Sequence, residues 1–453
     1  MAQITLAQAA AWCGGTVNPK YAQIPFLGAN NDSRNIRPGQ LFVALQGARD
    51  GHDFIPMALE KGAAAVLCTH CDGDYPAIVV EDTRIALGQI ARGERNRLGM
   101  KVVGVTGSVG KSTTKEMIAS VLGTTYRVAK TPENHNNDIG MPMAVLSIPE
   151  DTEVAVLEMG MNHFREIAYL TDIAQPDLAV IINIGTMHIE HLGSREGILQ
   201  AKMEILEGLK PGGCILLNGD DDMLWSVHDR KDVPAAYFGA ENDKVAVRGV
   251  QVSMEENRLA FDVRSEKETF RVELALDGQH YLLDALAAVS VGLKMGVTPE
   301  NIALALHNFQ NMAGRQELLE VKGFTIIKDC YNAGPESMAA ALKVLGRKSG
   351  RRIAVMGDML ELGSCAPAEH ERVGRCAAQN ADFVLAYGPN SSCVVSGAVA
   401  AGMDSGKAYA FTDRNALVQT LITIASPGDV LLFKGSHGMH MELALDLFLQ
   451  AQA

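Results

Sequence analysis

Thr106-Gly107-Ser108-Val109-Gly110-Lys111-Ser112-Thr113 is the stretch on which the reading of the fold turns. Val102-Val103-Gly104-Val105 before it is an apolar run of strand type, and the spacing of Thr114 to Leu122 after it predicts a helix. Strand, glycine-rich turn and helix in that order make a phosphate cradle. Gly107 and Gly110 let the N–H groups of Ser108 and Val109 turn inward, and the helix start adds partial positive charge at Thr113. Lys111 reaches the β and γ phosphates, and Ser112 is placed to ligate magnesium. The motif reads GxxGKS, because Val105 stands where the longer GxxxxGK[ST] pattern has its first glycine. A glycine turn with an incidental lysine is the competing reading, and the strand before and helix after count against it. The expected ligand is a nucleoside triphosphate.

Beyond the loop, Val154 to Leu157, Leu178 to Ile182 and Cys214 to Leu217 are continuous apolar runs separated by helical stretches. Such runs belong to a mostly parallel sheet covered on both faces. Between Val245 and Leu276 the alternation changes to period two, which predicts antiparallel strands appended to that sheet. A second βα series follows the turn-like Asn311-Met312-Ala313-Gly314, with strands expected at Thr325 to Ile327, Ile353 to Met356, Phe383 to Ala386 and Val430 to Phe433. Residues 1 to about 100 hold shorter pieces, a strand around Gln40 to Leu45 and a helix from Pro56 to Gly62. The expectation is an α/β protein of three domains: a small α/β domain over 1–100, a central phosphate-loop domain with a parallel sheet over 101–313, and a Rossmann-like domain over 314–453.

The bulk properties agree. A chain of 453 residues exceeds one hydrophobic core, and 47% hydrophobic with 21% charged residues is an ordinary globular composition. A net charge of -13 repels a polyphosphate backbone, so nucleic acid is not an expected partner. No basic region precedes an apolar one at the N-terminus and no apolar run is long enough to span a bilayer, which points to the cytoplasm without membrane insertion. The eight cysteines read as reduced thiols, and Cys68 and Cys71 form a lone CxxC without the second pair a zinc site needs.

Glu158 follows the strand Val154 to Leu157, and His188 follows Leu178 to Ile182 by a short segment, so both fall at carboxyl ends of strands, where ligands of parallel sheets collect. With Ser112 they make a candidate magnesium site, although magnesium seldom takes imidazole and His188 is equally readable as a satisfied polar residue. Lys202, inside Gln200 to Leu206, reads on chemistry alone as a solvated helix face.

Several segments together resemble the Mur ligase family: the phosphate loop, Asn134-His135-Asn136-Asn137-Asp138-Ile139-Gly140-Met141-Pro142, Glu158-Met159-Gly160, Asn183 to His188, and Lys202-Met203-Glu204-Ile205. Asn31-Asp32-Ser33-Arg34 and Pro38 to Leu45 resemble its uridine-nucleotide-binding domain. Gly314 to Glu317, Asp329 to Pro335, Gly357 to Gly363 and Lys434-Gly435-Ser436 resemble the branch that adds D-alanyl-D-alanine. Three departures stand out: Tyr281 and Asp284 where amide side chains are usual, Gly334 for a usual asparagine, and His437 for a usual arginine.

The resemblance implies a monomeric ligase that couples ATP to amide formation between UDP-N-acetylmuramoyl-tripeptide and D-alanyl-D-alanine, with a pair of Mg2+ ions. It implies that Lys202 is carbamylated and shares the metal cluster with Ser112, Glu158 and His188. It places Arg315, Asp329 and Asn332 on the nucleotide, with Arg315 and Asp329 each also readable as a member of a surface or interdomain salt bridge. It assigns Ser33, Arg34, Asn136 and Asn137 to the acceptor substrate, Ser33 and Arg34 also being readable as a turn cap. The alternatives are an amino-acid-adding Mur ligase, a folylpolyglutamate synthetase-like ligase, and a nucleotide-switched binding protein without ligase activity. No Asp-Asn-Pro-Arg string of the diaminopimelate-adding enzyme occurs.

Overall fold

The computed structural model describes residues 3–255, 257–312 and 314–452. Ala313, the expected last residue of the central domain, lies outside them, as do Met1, Ala2, Glu256 and Ala453.

Three large sheets follow one another along the chain, beside a two-stranded antiparallel pair of Ile4–Thr5 with Pro25–Phe26. The central one has nine strands in the spatial order Thr269–Leu274, Arg258–Ser265, Val247–Glu255, Ala235–Gly239, Cys214–Asn218, Leu178–Ile181, Lys101–Thr106, Val154–Glu158 and Val128–Lys130. The first three pair antiparallel, each with its neighbour, and the rest pair parallel, as the change of hydrophobic period predicts. Lys101–Thr106 lies between Leu178–Ile181 and Val154–Glu158, and the register pairs Val105 with both Val180 and Glu158. Val105 is therefore a buried strand residue rather than a loop residue, which is why the phosphate loop lacks the extra glycine.

Both faces of this sheet are covered. One face packs on the helices Lys111–Leu122, His280–Lys294 and Pro299–His307. The other shares one continuous apolar core with the N-terminal residues, running from Ile4, Phe26 and Leu41 through Ile90 to Leu157 and Ile181. The helix Thr83–Leu98 is the seam. At Gly88 an added Cβ would lie 2.1 Å from the Tyr169 hydroxyl, so a larger residue would require Tyr169, on the helix Glu166–Ala174, to shift.

The N-terminal sheet orders Thr16–Val17, Ala77–Val79, Ala65–Cys68, Leu41–Val43 and Ala29–Asn30, parallel except for the first pair. The third sheet orders Glu317–Val321, Phe324–Asp329, Val430–Lys434, Arg352–Gly357, Phe383–Tyr387 and Ala408–Phe411. Only its first pair is antiparallel, and the strand Val430–Lys434, made after the other five, sits in its middle. No helix of the described residues is long and apolar enough to cross a membrane.

Candidate active site

A cavity of about 650 Å³ opens at the carboxyl ends of the central strands and is closed on its far side by the third domain. The phosphate loop forms its floor. Gly110 caps the helix Lys111–Leu122 at φ +83, and an added Cβ there would meet the Asp284 carboxylate at 2.7 Å, so the position excludes any side chain on both counts. The loop departs from its expected form in one respect. The Ser108 and Val109 N–H groups do not both turn to the cavity; they donate to the Asn183 side-chain oxygen at 3.1 and 2.9 Å. The Asn183 amide in turn donates to the Val109 carbonyl at 3.0 Å. Asn183 thus ties the loop to the neighbouring strand, and the amides at the helix start, unpaired within the helix, are the ones left to meet an anion.

Lys111 folds over the loop, donating to the carbonyls of Gly107 at 2.9 Å and Ser108 at 3.3 Å. Part of its side chain stays open to the cavity, yet enough protein surrounds the ammonium that burial pushes its pKa down, with Glu158 opposing the shift. Glu158 is the last residue of its strand, one place earlier than expected. Its Oε1 accepts from Asn136 at 2.8 Å, while the buried Oε2 has no hydrogen-bond partner. Lys115, fully buried on the loop helix, lies 3.8 Å from Oε2 and donates to the Thr131 carbonyl at 2.7 Å.

Lys202 is 1% exposed, not the solvated helix residue its context suggests. Burial pushes its ammonium well below the usual lysine range, and the charge of Lys111 pushes the same way. His188, on the segment after Leu178–Ile181, is held at φ +64 with its Nδ1 2.7 Å from Glu361 of the third domain. Burial lowers its pKa too, Glu361 opposing and the charges of Lys111 and Lys202 adding to the fall. Lys111 is therefore within electrostatic reach of Glu158, His188 and Lys202.

The fit to magnesium rests on this donor set. A serine hydroxyl and a carboxylate with an unpartnered buried oxygen are hard donors of the kind it prefers, and it is ordinarily held by one or two protein oxygens together with substrate phosphates. No three His, Cys, Asp or Glu side chains among the described residues form a group that could hold a metal ion.

The third domain supplies the roof. Arg315 donates to the Ser112 hydroxyl at 2.9 Å and stacks on Tyr331, its guanidinium 4.0 Å from the ring centre. Asp329 is buried and bound by Lys434 at 2.7 Å, and the same ammonium holds the Asn332 carbonyl at 2.9 Å. Arg315 and Asp329 do not pair with each other; Lys434 is the partner of Asp329, which sequence reading missed because the two are far apart in the chain. Of the acceptor candidates, Asn136 and Asn137 both line the cavity; Asn136 donates to Glu158, and the Asn137 side chain accepts from the Gly140 N–H at 2.7 Å at the start of the next helix. Ser33 and Arg34 are outside this cavity: Ser33 is buried against Met57, and Arg34 is exposed and paired with Asp32 at 2.9 Å.

The departures have physical reasons. The Asp284 carboxylate accepts from the Thr114 hydroxyl at 2.8 Å, and burial pushes its pKa up to about 7. The Tyr281 hydroxyl accepts from Asn311 at 2.6 Å, bracing the segment that leads into the third domain. At Gly334 an added Cβ would lie 2.7 Å from the Met187 side chain, so a larger residue is excluded unless Met187 shifts. His437 lines the cavity beside Tyr331, with ring centres 6.3 Å apart.

Three family profiles match the chain: the Mur ligase family catalytic domain over residues 26–95, the Mur ligase middle domain over 105–292, and the Mur ligase glutamate ligase domain over 314–437. The UDP-N-acetylmuramoyl-tripeptide–D-alanyl-D-alanine ligase of Bacillus subtilis is 40% identical, with 95% of this chain and 94% of that protein aligned. The ligase of the same name from Escherichia coli is 34% identical over 98% and 97%. Crystal structure I of MurF from Acinetobacter baumannii superposes with a TM-score of 0.91 at 32% identity, covering 99% of both chains. MurF ligase from Thermotoga maritima in complex with ADP gives 0.83 at 31% identity, covering 94% of this chain and 98% of that one. From its phosphate loop to its third-domain roof, the chain belongs to the Mur ligase family.

Proposed function

We propose that this protein is an ATP-dependent ligase that joins D-alanyl-D-alanine to UDP-N-acetylmuramoyl-tripeptide through an acyl phosphate, forming the peptidoglycan pentapeptide precursor. The observation that carries this reading is the meeting of the phosphate loop, Glu158, His188 and Arg315 at one cavity, in a chain aligned end to end with ligases of that name.

The reaction brings a carboxylate onto a γ phosphate, two anions that repel strongly where water is excluded. Lys111 and the helix-start amides of Lys111, Ser112 and Thr113 stabilise the charge on the transferring group, and Arg315 reaches the same place from the third domain. Ser112, Glu158 and His188 would hold Mg2+ together with phosphate oxygens, and the ion would add further compensating charge. Asn136 orients Glu158, and Asn137 keeps that segment in place. Asp329 and Asn332, fixed by Lys434, face the nucleotide, while Ser33 and Arg34 contact the uridine nucleotide on the first domain.

Lys202 belongs to this cluster as a carbamate. A fully buried amine beside Lys111, with its pKa far down, is supplied as the neutral nucleophile that CO2 requires, and the adduct turns a misplaced cation into an oxygen donor. Carbon-13 NMR with labelled bicarbonate should give a carbamate signal that is absent in Lys202→Ala. We further assign residues 1–100, 101–313 and 314–453 to the acceptor, ATP and amine-binding domains, in a cytoplasmic monomer.

The deciding experiment is phosphate release from ATP with the uridine-linked tripeptide and a panel of amines. Release is expected only with both the tripeptide and D-alanyl-D-alanine. Efficient turnover with a single amino acid and a shorter acceptor would move the protein to another branch of the family, and turnover without amide product would make it a nucleotide switch.

A further inference from the structure

His188 and Glu361 come from different domains, and both are non-glycine residues held in the left-handed region, at φ +64 and +62. Such conformations persist only where the surroundings over-determine them, and they gather at working sites. Here they meet: Glu361 Oε2 lies 2.7 Å from His188 Nδ1. The contact is close without being well directed, since Nδ1 makes no properly aligned hydrogen bond. The same third-domain segment docks again two residues later, where Gly363 sits so near Glu190 that an added Cβ would be 2.9 Å from its side chain. The segment therefore seats on the stretch that carries His188, and it brings one carboxylate to one face of the imidazole.

We infer that Glu361 is a positioning residue through which docking of the third domain orients the His188 ring, holding the proton on Nδ1 and leaving Nε2 for the cavity. A carboxylate on the far nitrogen of a functional imidazole fixes its tautomer and its rotation, an arrangement usual behind metal-bound histidines. Because that carboxylate is on the third domain, His188 is fully set only when the domain is docked. The inference rests on His188 being part of the ligation site.

The test uses the full-length protein. Glu361→Ala should lower kcat about 10- to 100-fold with the KM for ATP little changed, and Glu361→Gln, which keeps an acceptor oxygen, should recover part of the loss. Glu361→Gly should be as stable as the parent or more so, since it releases the left-handed strain, while losing activity as the alanine variant does. In nitrogen-15 spectra of histidine-labelled protein, the His188 ring should carry its proton on Nδ1 in the parent and populate both tautomers in Glu361→Ala. Parent-like kcat in Glu361→Ala, or an unchanged His188 tautomer, would overturn the inference. His188→Ala separates the two levels of argument. If it too leaves ligation intact, the site reading fails; if it abolishes ligation while Glu361→Ala does not, only the positioning role fails.

Discussion

Asp284 sits beneath the phosphate loop, 2.8 Å from the Thr114 hydroxyl, with burial holding its carboxyl at about 7. In the unfolded chain the same group titrates near 3.8. Between those values the folded protein keeps a proton that the unfolded chain has released, so stability is full at low pH and declines as pH rises through the folded pKa. We expect the unfolding free energy of the parent, from urea titrations, to fall between about pH 4 and about pH 7 by an Asp284-dependent amount of no more than about 4 kcal/mol. Asp284→Asn should flatten that part of the curve and exceed the parent in stability at neutral pH. A parallel pair of curves would show that Asp284 is ionised in the folded protein. The same residue also limits its neighbour: Gly110 has to be glycine partly because Asp284 fills the space a side chain would take.

At the scale of elements, the turn after Leu178–Ile181 does more than connect, because Asn183 binds the two phosphate-loop amides of Ser108 and Val109. Asn183→Ala removes the side-chain partner of the Val109 amide and carbonyl, while the Ser108 amide keeps its 3.1 Å bond to the backbone carbonyl of residue 183, an expected stability loss of about 1–3 kcal/mol. Because the loop is released, the KM for ATP should rise about tenfold, equivalent to about 1.4 kcal/mol; thermal unfolding and initial rates check both. An unaltered KM would mean the loop holds its shape without Asn183. This contact marks the limit of sequence reading. The loop motif and the long buried strands were legible because each is encoded within a few consecutive residues: a GxxGKS between apolar strand and helix, or unbroken runs such as Val430 to Phe433. The strands Val128–Lys130, Glu317–Val321 and Ala408–Phe411 were not, since they are short or carry exposed residues at sheet edges, where the apolar signal is weak. Asn183, Lys434 and Glu361 act on partners far away in sequence, and no local pattern announces that. The burial of Lys202 escaped for the same reason, being a property of everything packed around its helix.

Across the whole molecule, the third domain is joined to the central one by contacts of both kinds, some inside the cavity and some outside it. Arg315 on Ser112 and Thr186 on Glu336 are at the site, whereas Arg347 and Lys348 pair with Asp277 at 2.6 and 2.8 Å away from the loop. The latter pairs hold the domains without touching the chemistry. Asp277→Ala should therefore favour an open arrangement: small-angle scattering is expected to give a larger radius of gyration, which an ATP analogue with the acceptor should reverse. Equal radii for parent and variant, with and without ligands, would argue that the domains are held elsewhere. The order of the third sheet bears on how such a molecule is made. Val430–Lys434 is synthesised after the five strands it must join, yet it pairs with Phe324–Asp329 on one side and Arg352–Gly357 on the other. While the ribosome is still working, those two strands can meet only across a gap with both inner edges open. Lys434, the partner of Asp329, arrives with the strand that fills the gap, so a growing chain carries its phosphate loop long before it has the domain that directs the use of ATP, and the ability to ligate arrives last.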